Sequence, residues 1–350
     1  MNSRERVLAA IRRTPADRIA VGGMGFEDET PAEIRQYLGA AEDADLADLL
    51  GLDLALIAPA YVGPAFDWKP ENRRLSFFGS SDKTYADEGV VERPLRRASS
   101  MNAIEAFRWP TIENYDMSGI LEQCNKAGDR AICSNGWTPT FSQLCELFGM
   151  ETALCNLVEQ PAMMQACAEH IADLLCDMTD AIHRASAGKL LIVATADDVA
   201  TNRGLLFSPD LWRELFKPSL ARQFAAAKKH GLITWFHSCG DVSSILGDLV
   251  DIGLDVLEPT QAHLPGMNPK WLKKEFGKQL TFFGGISTQT TLPFGTPEQV
   301  RLEVRQRIEV LGEGGGYIVA PDHTVLAGMP AANVVALYEE AGSLKQSERV

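Results

Sequence analysis

Positive charge is scarce in this chain. Its 33 lysines and arginines face 47 aspartates and glutamates, which leaves a formal net charge of −14 over 350 residues. Nucleic-acid backbones and anionic membrane surfaces both require positive patches, so neither is expected as a partner. The densest basic run, RPLRR at Arg93–Arg97, reads as a solvated face. Long apolar runs are also missing, and none reaches the roughly 20 residues needed to span a bilayer. The opening MNSRERVLAAIRRTPADRIAV carries charge from its start and has no apolar core of signal-peptide length. The seven cysteines are an odd number and fall mostly within helical patterns, which excludes a secreted disulfide framework. No internal repeat or low-complexity segment is visible. These absences together point to a cytoplasmic, reducing compartment.

What the chain does contain is a regular alternation. Short apolar runs at Arg18–Gly22, Asp53–Ala58, Ala131–Ser134, Leu190–Thr195, Ile233–His237, Val256–Glu258, Leu280–Gly284 and Gly316–Ala320 read as strands. Helical patterns separate them, among them Thr140–Phe148, Pro161–Ser186, Pro209–Lys229, Val242–Ile252, Pro269–Phe276 and Pro297–Leu311. Ser3 is expected to cap a first helix, Arg4–Arg12. Eight strands alternating with helices predict a single α/β domain over residues 1–350, a (β/α)8 TIM barrel; a doubly wound open sheet is the rival. Between the second and third strands RRLSFFGSSDKTYADEGVVERPLRR suggests short paired strands. We therefore expect residues 59–130 to form a β-rich insertion over the C-terminal mouth of the barrel.

In such barrels the site lies where the strands end. Polar residues gather at those positions: Glu27, Asn135, Trp137, Asp197, Asp198, His237, Cys239, Glu258, Gln261 and His323. The pair in WFHSCGDV is the most pointed. Strand side chains alternate faces, so His237 and Cys239 point the same way while Ser238 points away. An imidazole and a thiolate converging in this way suit zinc, with His323 as third ligand and Glu258 as its alternative. The plainer reading has His237 bonded to a neighbouring loop and Cys239 packed as a small apolar residue. Asp197 and Asp198 can serve as general bases, bind a cationic group or cap the turn. Asn202 and Arg203 can bind a substrate carboxylate, unless Arg203 instead pairs with Asp198.

Taken together, DDVATNRGLLFSPDLWRELFKPSL, WFHSCGDV, VLEPTQ, LTFFGGISTQTTLPFGTPEQV and GGGYIVAPDHTVLAGMPAANVVALYEEA resemble the uroporphyrinogen decarboxylase superfamily nearly end to end. The resemblance implies a (β/α)8 barrel and one of two activities. Decarboxylases of the family act on a tetrapyrrole without metal and grip its carboxylates with an arginine-rich segment after the first strand. Here that place reads VGGMGFEDETPAEIRQYLG, with Glu27, Asp28 and Glu29 where arginines are expected, which would repel a polyanion. The other branch transfers methyl groups with corrinoids. Its coenzyme M enzymes hold zinc with a His-x-Cys pair at the fifth strand and a cysteine after the eighth. His237 and Cys239 match the pair, whereas APDHTVLAGMP supplies His323 where the last cysteine would stand.

The expectation is a zinc-dependent methyltransferase moving a methyl group between a small substrate and a corrinoid carried by a partner protein. Asp197, Asp198 and His323 would be catalytic. Glu27, Asn135, Trp137, Asn202, Arg203 and Gln261 would bind the substrate. The alternatives are a metal-free decarboxylase of a small carboxylic acid or of uroporphyrinogen, and a ligand-binding barrel without catalysis.

Overall fold

A computed structural model describes residues 1–27, 29–63, 66–68, 73–75, 93–135 and 139–342, with the backbone alone at 66–68, 73–75 and 135. Eight parallel strands run β1 (Ala20–Val21), β2 (Leu54–Ile57), β3 (Ala131–Asn135), β4 (Leu190–Ala196), β5 (Ile233–His237), β6 (Val256–Thr260), β7 (Thr281–Ile286) and β8 (Tyr317–Pro321). Their order around the sheet is β1-β8-β7-β6-β5-β4-β3-β2, the order of a barrel opened at one seam. Ala20, Leu54, Cys133, Ile192, Ala194, Trp235, Val256, Phe283, Ile318 and Ala320 pack together inside it. The alternate strand residues, such as Phe236, Leu257, Phe282 and Val319, join the larger cluster formed with the surrounding helices. Two-residue periodicity thus sorts the strands into an inner and an outer face.

The seam lies between β1 and β2, where the backbone link is Asp53 N–H to Val21 C=O at 3.0 Å. The Asp53 side chain reinforces it by accepting from Val21 N–H at 2.9 Å. This buried carboxylate is held by Arg6 at 2.6 Å and Arg18 at 2.7 Å. A short ladder is therefore replaced by a side-chain clasp.

The helix Ser3–Arg12 closes the N-terminal end. Arg4 and Arg13 reach carbonyls at Asp129, Lys189, Gly277 and Leu280, all just before barrel strands. Its cap is Asn2 rather than Ser3: Asn2 accepts from Glu5 N–H while the Glu5 carboxylate accepts from Asn2 N–H. With that end plugged, the polar strand ends face the other opening.

Three expected elements differ in detail. Pro209–Lys229 is two helices, Pro209–Leu215 and Lys217–Lys228, because Pro218 lacks the N–H that a continuous helix would use. The stretch Val242–Ile252 begins as a 3-10 turn, Ser243–Ile245, before the helix Leu246–Asp251. Within residues 59–130 the described part holds two antiparallel pairs, Ala60–Tyr61 with Tyr115–Asp116 and Phe66–Trp68 with Arg73–Leu75. The same segment also contains the helix Ile120–Lys126, whose Gln123 side chain bonds both backbone groups of Ala58 beside β2. Residues 76–92 of this expected insertion lie outside the described residues.

Candidate metal centre

Strand β5 ends on His237, in register with Ala196 of β4 and Glu258 of β6. Beyond that point Asp197 N–H bonds His237 C=O at 2.8 Å and Ser238 N–H bonds Glu258 C=O at 2.9 Å, so the ladder continues into the turn. Cys239 consequently stays on the face of His237, its sulfur 3.6 Å from His237 Nε2. Asp198, arriving from β4, accepts from Cys239 N–H at 2.9 Å and approaches His237 Nε2 to 3.5 Å. One ligand atom from each of Asp198, His237 and Cys239 lies within 4.8 Å of the other two, and among the described residues no other such group occurs. A carboxylate oxygen, an imidazole nitrogen and a sulfur so close together suit a borderline-soft divalent ion such as zinc.

His323, after β8, faces the same site, its ring centre 6.5 Å from that of His237. Glu258 does not share this side of His237. Its carboxylate accepts from Nδ1, on the opposite edge of the imidazole.

The electrostatics favour a thiolate. Burial pushes the Cys239 thiol up, yet hydrogen bonds to His237 and His323 outweigh it and lower its pKa. Burial likewise opposes charge on His237, but Glu258, Asp198 and Cys239 overcome it and hold the imidazole well above its usual range. His323 is raised chiefly by its bond to Cys239. Asp198 is lowered because His237 and the Cys239 N–H outweigh its partial burial. The thiolate is the form that binds metals.

Most of the other expected site residues have partners of their own. Asp197 turns outward: it is buried, accepts from Phe141 N–H at 2.6 Å at the start of the helix Thr140–Phe148, and is pushed well above the usual carboxylate range by burial. Gln261 is buried and accepts from Gly240 N–H at 2.6 Å, so it ties the turn after Cys239. Asn202 and Arg203 form the exposed tip of the hairpin joining Ala200–Thr201 to Gly204–Leu205. Asn202 bonds Gln289 of the β7 loop at 2.8 Å. Arg203 makes no ion pair among the described residues, while Asp198 turns to Cys239 N–H and His237 instead. Glu27 is exposed and accepts from Ala327 N–H at 3.0 Å, joining the β1 and β8 loops. The Asn135 side chain, Trp137 and Asp28 lie outside the described residues.

One pair at this end was not anticipated. His263 Nδ1 lies 3.2 Å from buried Asp322 Oδ2, out of line for a hydrogen bond, and Asp322 Oδ1 accepts from the Thr288 backbone and hydroxyl. Asp322 directly precedes His323, but nothing in the spacing linked it to His263.

The sequence pattern of the uroporphyrinogen decarboxylase (URO-D) family matches residues 87–344. The chain is 31% identical to a methylcobamide:CoM methyltransferase, MtaA, of Methanosarcina barkeri strain Fusaro, with 95% of each protein covered. A second MtaA sequence from Methanosarcina barkeri is 30% identical over 146 residues, which span 42% of this chain and 40% of that protein. A solved methyltransferase from Methanosarcina mazei shares the fold with a TM-score of 0.70 at 20% identity, over 98% of both chains.

Proposed function

The chain belongs to the uroporphyrinogen decarboxylase family, and from that premise we propose that it is a zinc-dependent methyltransferase, moving a methyl group between a small substrate and a corrinoid carried by a separate protein. The observation that carries this reading is the convergence of Asp198, His237 and Cys239 at the C-terminal ends of β4 and β5. Similarity to a methylcobamide:CoM methyltransferase along 95% of the chain supports the reaction class.

His237 Nε2 and Cys239 Sγ are the ligands proposed from the outset, and Asp198 joins them as the oxygen donor nearest to both. Zinc bound there supplies Lewis acidity, lowering the pKa of a substrate heteroatom such as a thiol sulfur. His323 stands on the sulfur side of the set and is the residue we assign to proton transfer with the substrate. Glu27, Asn135, Trp137, Asn202 and Arg203 are the proposed substrate contacts. Gln261 is better suited to holding the Cys239–Gly240 turn than to touching substrate.

Elemental analysis of the purified protein beside a Cys239→Ala variant tests the metal. One zinc per chain is expected in the first and a large loss in the second. A methyl-transfer assay supplied with a methylated corrinoid protein and small thiols tests the reaction. Uroporphyrinogen serves as the control substrate, and robust coproporphyrinogen formation without zinc would overturn the reading in favour of the decarboxylases.

A further inference from the structure

We propose that Gln289 is a positioning residue: it holds the hairpin tip Asn202–Arg203 across the mouth of the barrel and so fixes where Arg203 meets a charged substrate group. The inference rests on the methyltransferase reading above. Asn202 Nδ2 donates to Gln289 Oε1 at 2.8 Å, and Gln289 Nε2 faces Asn202 Oδ1 at 3.5 Å. Asn202 follows β4 and Gln289 follows β7, and in the sheet order β5 and β6 lie between those strands. The amide pair therefore bridges the C-terminal ends of two intervening strands, one of which leads into Cys239.

The two ends of the bridge differ in stiffness. The hairpin has two residues in each strand, Ala200–Thr201 against Gly204–Leu205, too few to hold a shape alone. Its root is anchored, because Thr201 C=O accepts from Asp241 N–H and Val199 C=O from Leu206 N–H, both at 2.9 Å. Its tip is exposed. Among the described residues Gln289 supplies the tip's only hydrogen bonds to another loop. Gln289 itself stands on a fixed base. The buried Ser287 hydroxyl accepts from Gln289 N–H at 3.2 Å and Thr290 N–H at 3.1 Å. Thr288 donates its N–H and its hydroxyl to buried Asp322 at 2.8 and 2.7 Å. The stiff loop thus sets the position of the loose one. In a chain of net charge −14, a guanidinium without an ion pair among the described residues is a rare attraction for an anionic group. The hairpin begins two residues after Asp198, so fixing its tip also fixes the distance from that cation to the candidate metal set.

The test uses the full-length protein as wild type, Q289A, Q289E, N202A and the double variant N202A/Q289A. Methylcobalamin is the donor. The acceptors are mercaptoacetate, which carries a carboxylate, and 2-mercaptoethanol, which carries none. In Q289A the KM for mercaptoacetate should rise roughly two- to tenfold, the range for one lost hydrogen bond, while kcat and the KM for 2-mercaptoethanol stay within about twofold. Adding Q289A to N202A should change nothing further, since the partner is already gone. Hydrogen–deuterium exchange over the hairpin, read by mass spectrometry, should quicken in Q289A by a similar factor. Q289E keeps an acceptor for Asn202 Nδ2 and should restore the slow exchange. A residue that merely stabilised the fold would not separate the two thiols. Equal KM shifts for both thiols overturn the proposal, as does a further loss when Q289A is added to N202A. So does wild-type hairpin exchange in Q289A. If the wild type methylates neither thiol, the methyltransferase reading fails, and the exchange measurement alone decides whether Gln289 holds the tip.

Discussion

Asp197 and Asp198 are neighbours in the chain and serve opposite sides of the barrel wall. Asp197 accepts from Phe141 N–H in the outer helix layer, whereas Asp198 accepts from Cys239 N–H beside His237. Strand alternation accounts for the split: Ile192 and Ala194 of β4 point inward, and 198 continues their parity. Asp198→Asn should therefore weaken zinc binding by at least roughly tenfold. Asp197→Asn should leave it unchanged. Chelator competition on the two variants checks this, and equal losses would show that both carboxylates serve the metal.

Asp53→Ala should be among the most destabilising single changes in the protein. It would leave the buried Arg6 guanidinium without its closest carboxylate, free Arg18, and strip the acceptor from Val21 N–H at the β1–β2 seam. Removing one partner from a buried ion pair costs about 3–5 kcal/mol. Urea unfolding monitored by circular dichroism measures the loss. A change below about 1 kcal/mol would mean that the seam is held by something else.

Much of this architecture was legible because β5, β7 and β8 are apolar until they end, and His237 falls at the predicted last residue of its strand. The same alternation brought His237 and Cys239 to one face. What escaped the sequence depended on partners far away in the chain. Asp198 is 41 residues from Cys239, and Glu258 is 21 from His237. Spacing can assign each of them to a strand end, but it cannot say which edge of an imidazole a carboxylate will meet. That is set by the ladder register, in which His237 stands opposite Glu258. The first strand was overestimated for a related reason. Gly22 N–H still bonds Val319 C=O at 2.9 Å, but its own C=O accepts from the Tyr338 hydroxyl at 3.1 Å, a partner 316 residues away that no local pattern reveals.

Gly240→Ala should damage the site without removing any ligand. Gly240 has a φ of +94°, and an added Cβ would lie 2.6 Å from the Thr201 carbonyl and 2.9 Å from Ala200 Cβ. Those atoms belong to backbone and a short side chain, so the turn carrying Cys239 must shift. The strain should cost about 1–3 kcal/mol. Zinc stoichiometry should fall together with the melting temperature, since Gln261 would lose its bond to Gly240 N–H in the same movement. Full metal content with an unchanged melting temperature would show that the hairpin Ala200–Leu205 yields easily.

The pH dependence of stability supplies a last test, centred on Asp197. Burial pushes its carboxyl well above the usual value, although the Phe141 and Ser142 N–H groups at the helix start oppose the shift. In the unfolded chain an aspartate titrates near about 3.9. Between that value and the raised folded one, the folded state binds more protons than the unfolded state, so stability falls as pH rises through this window. Above the folded value the penalty is complete and the curve flattens. Asp197→Asn keeps an oxygen for the Phe141 N–H and carries no charge at any pH. The melting temperature of the variant should therefore gain on the wild type as pH increases from about 4. Scans at constant ionic strength across this range measure the difference. If the wild type instead gains on the variant as pH rises, the helix N-terminus stabilises a charged carboxylate by more than burial costs, and Asp197 is ionised in the folded protein.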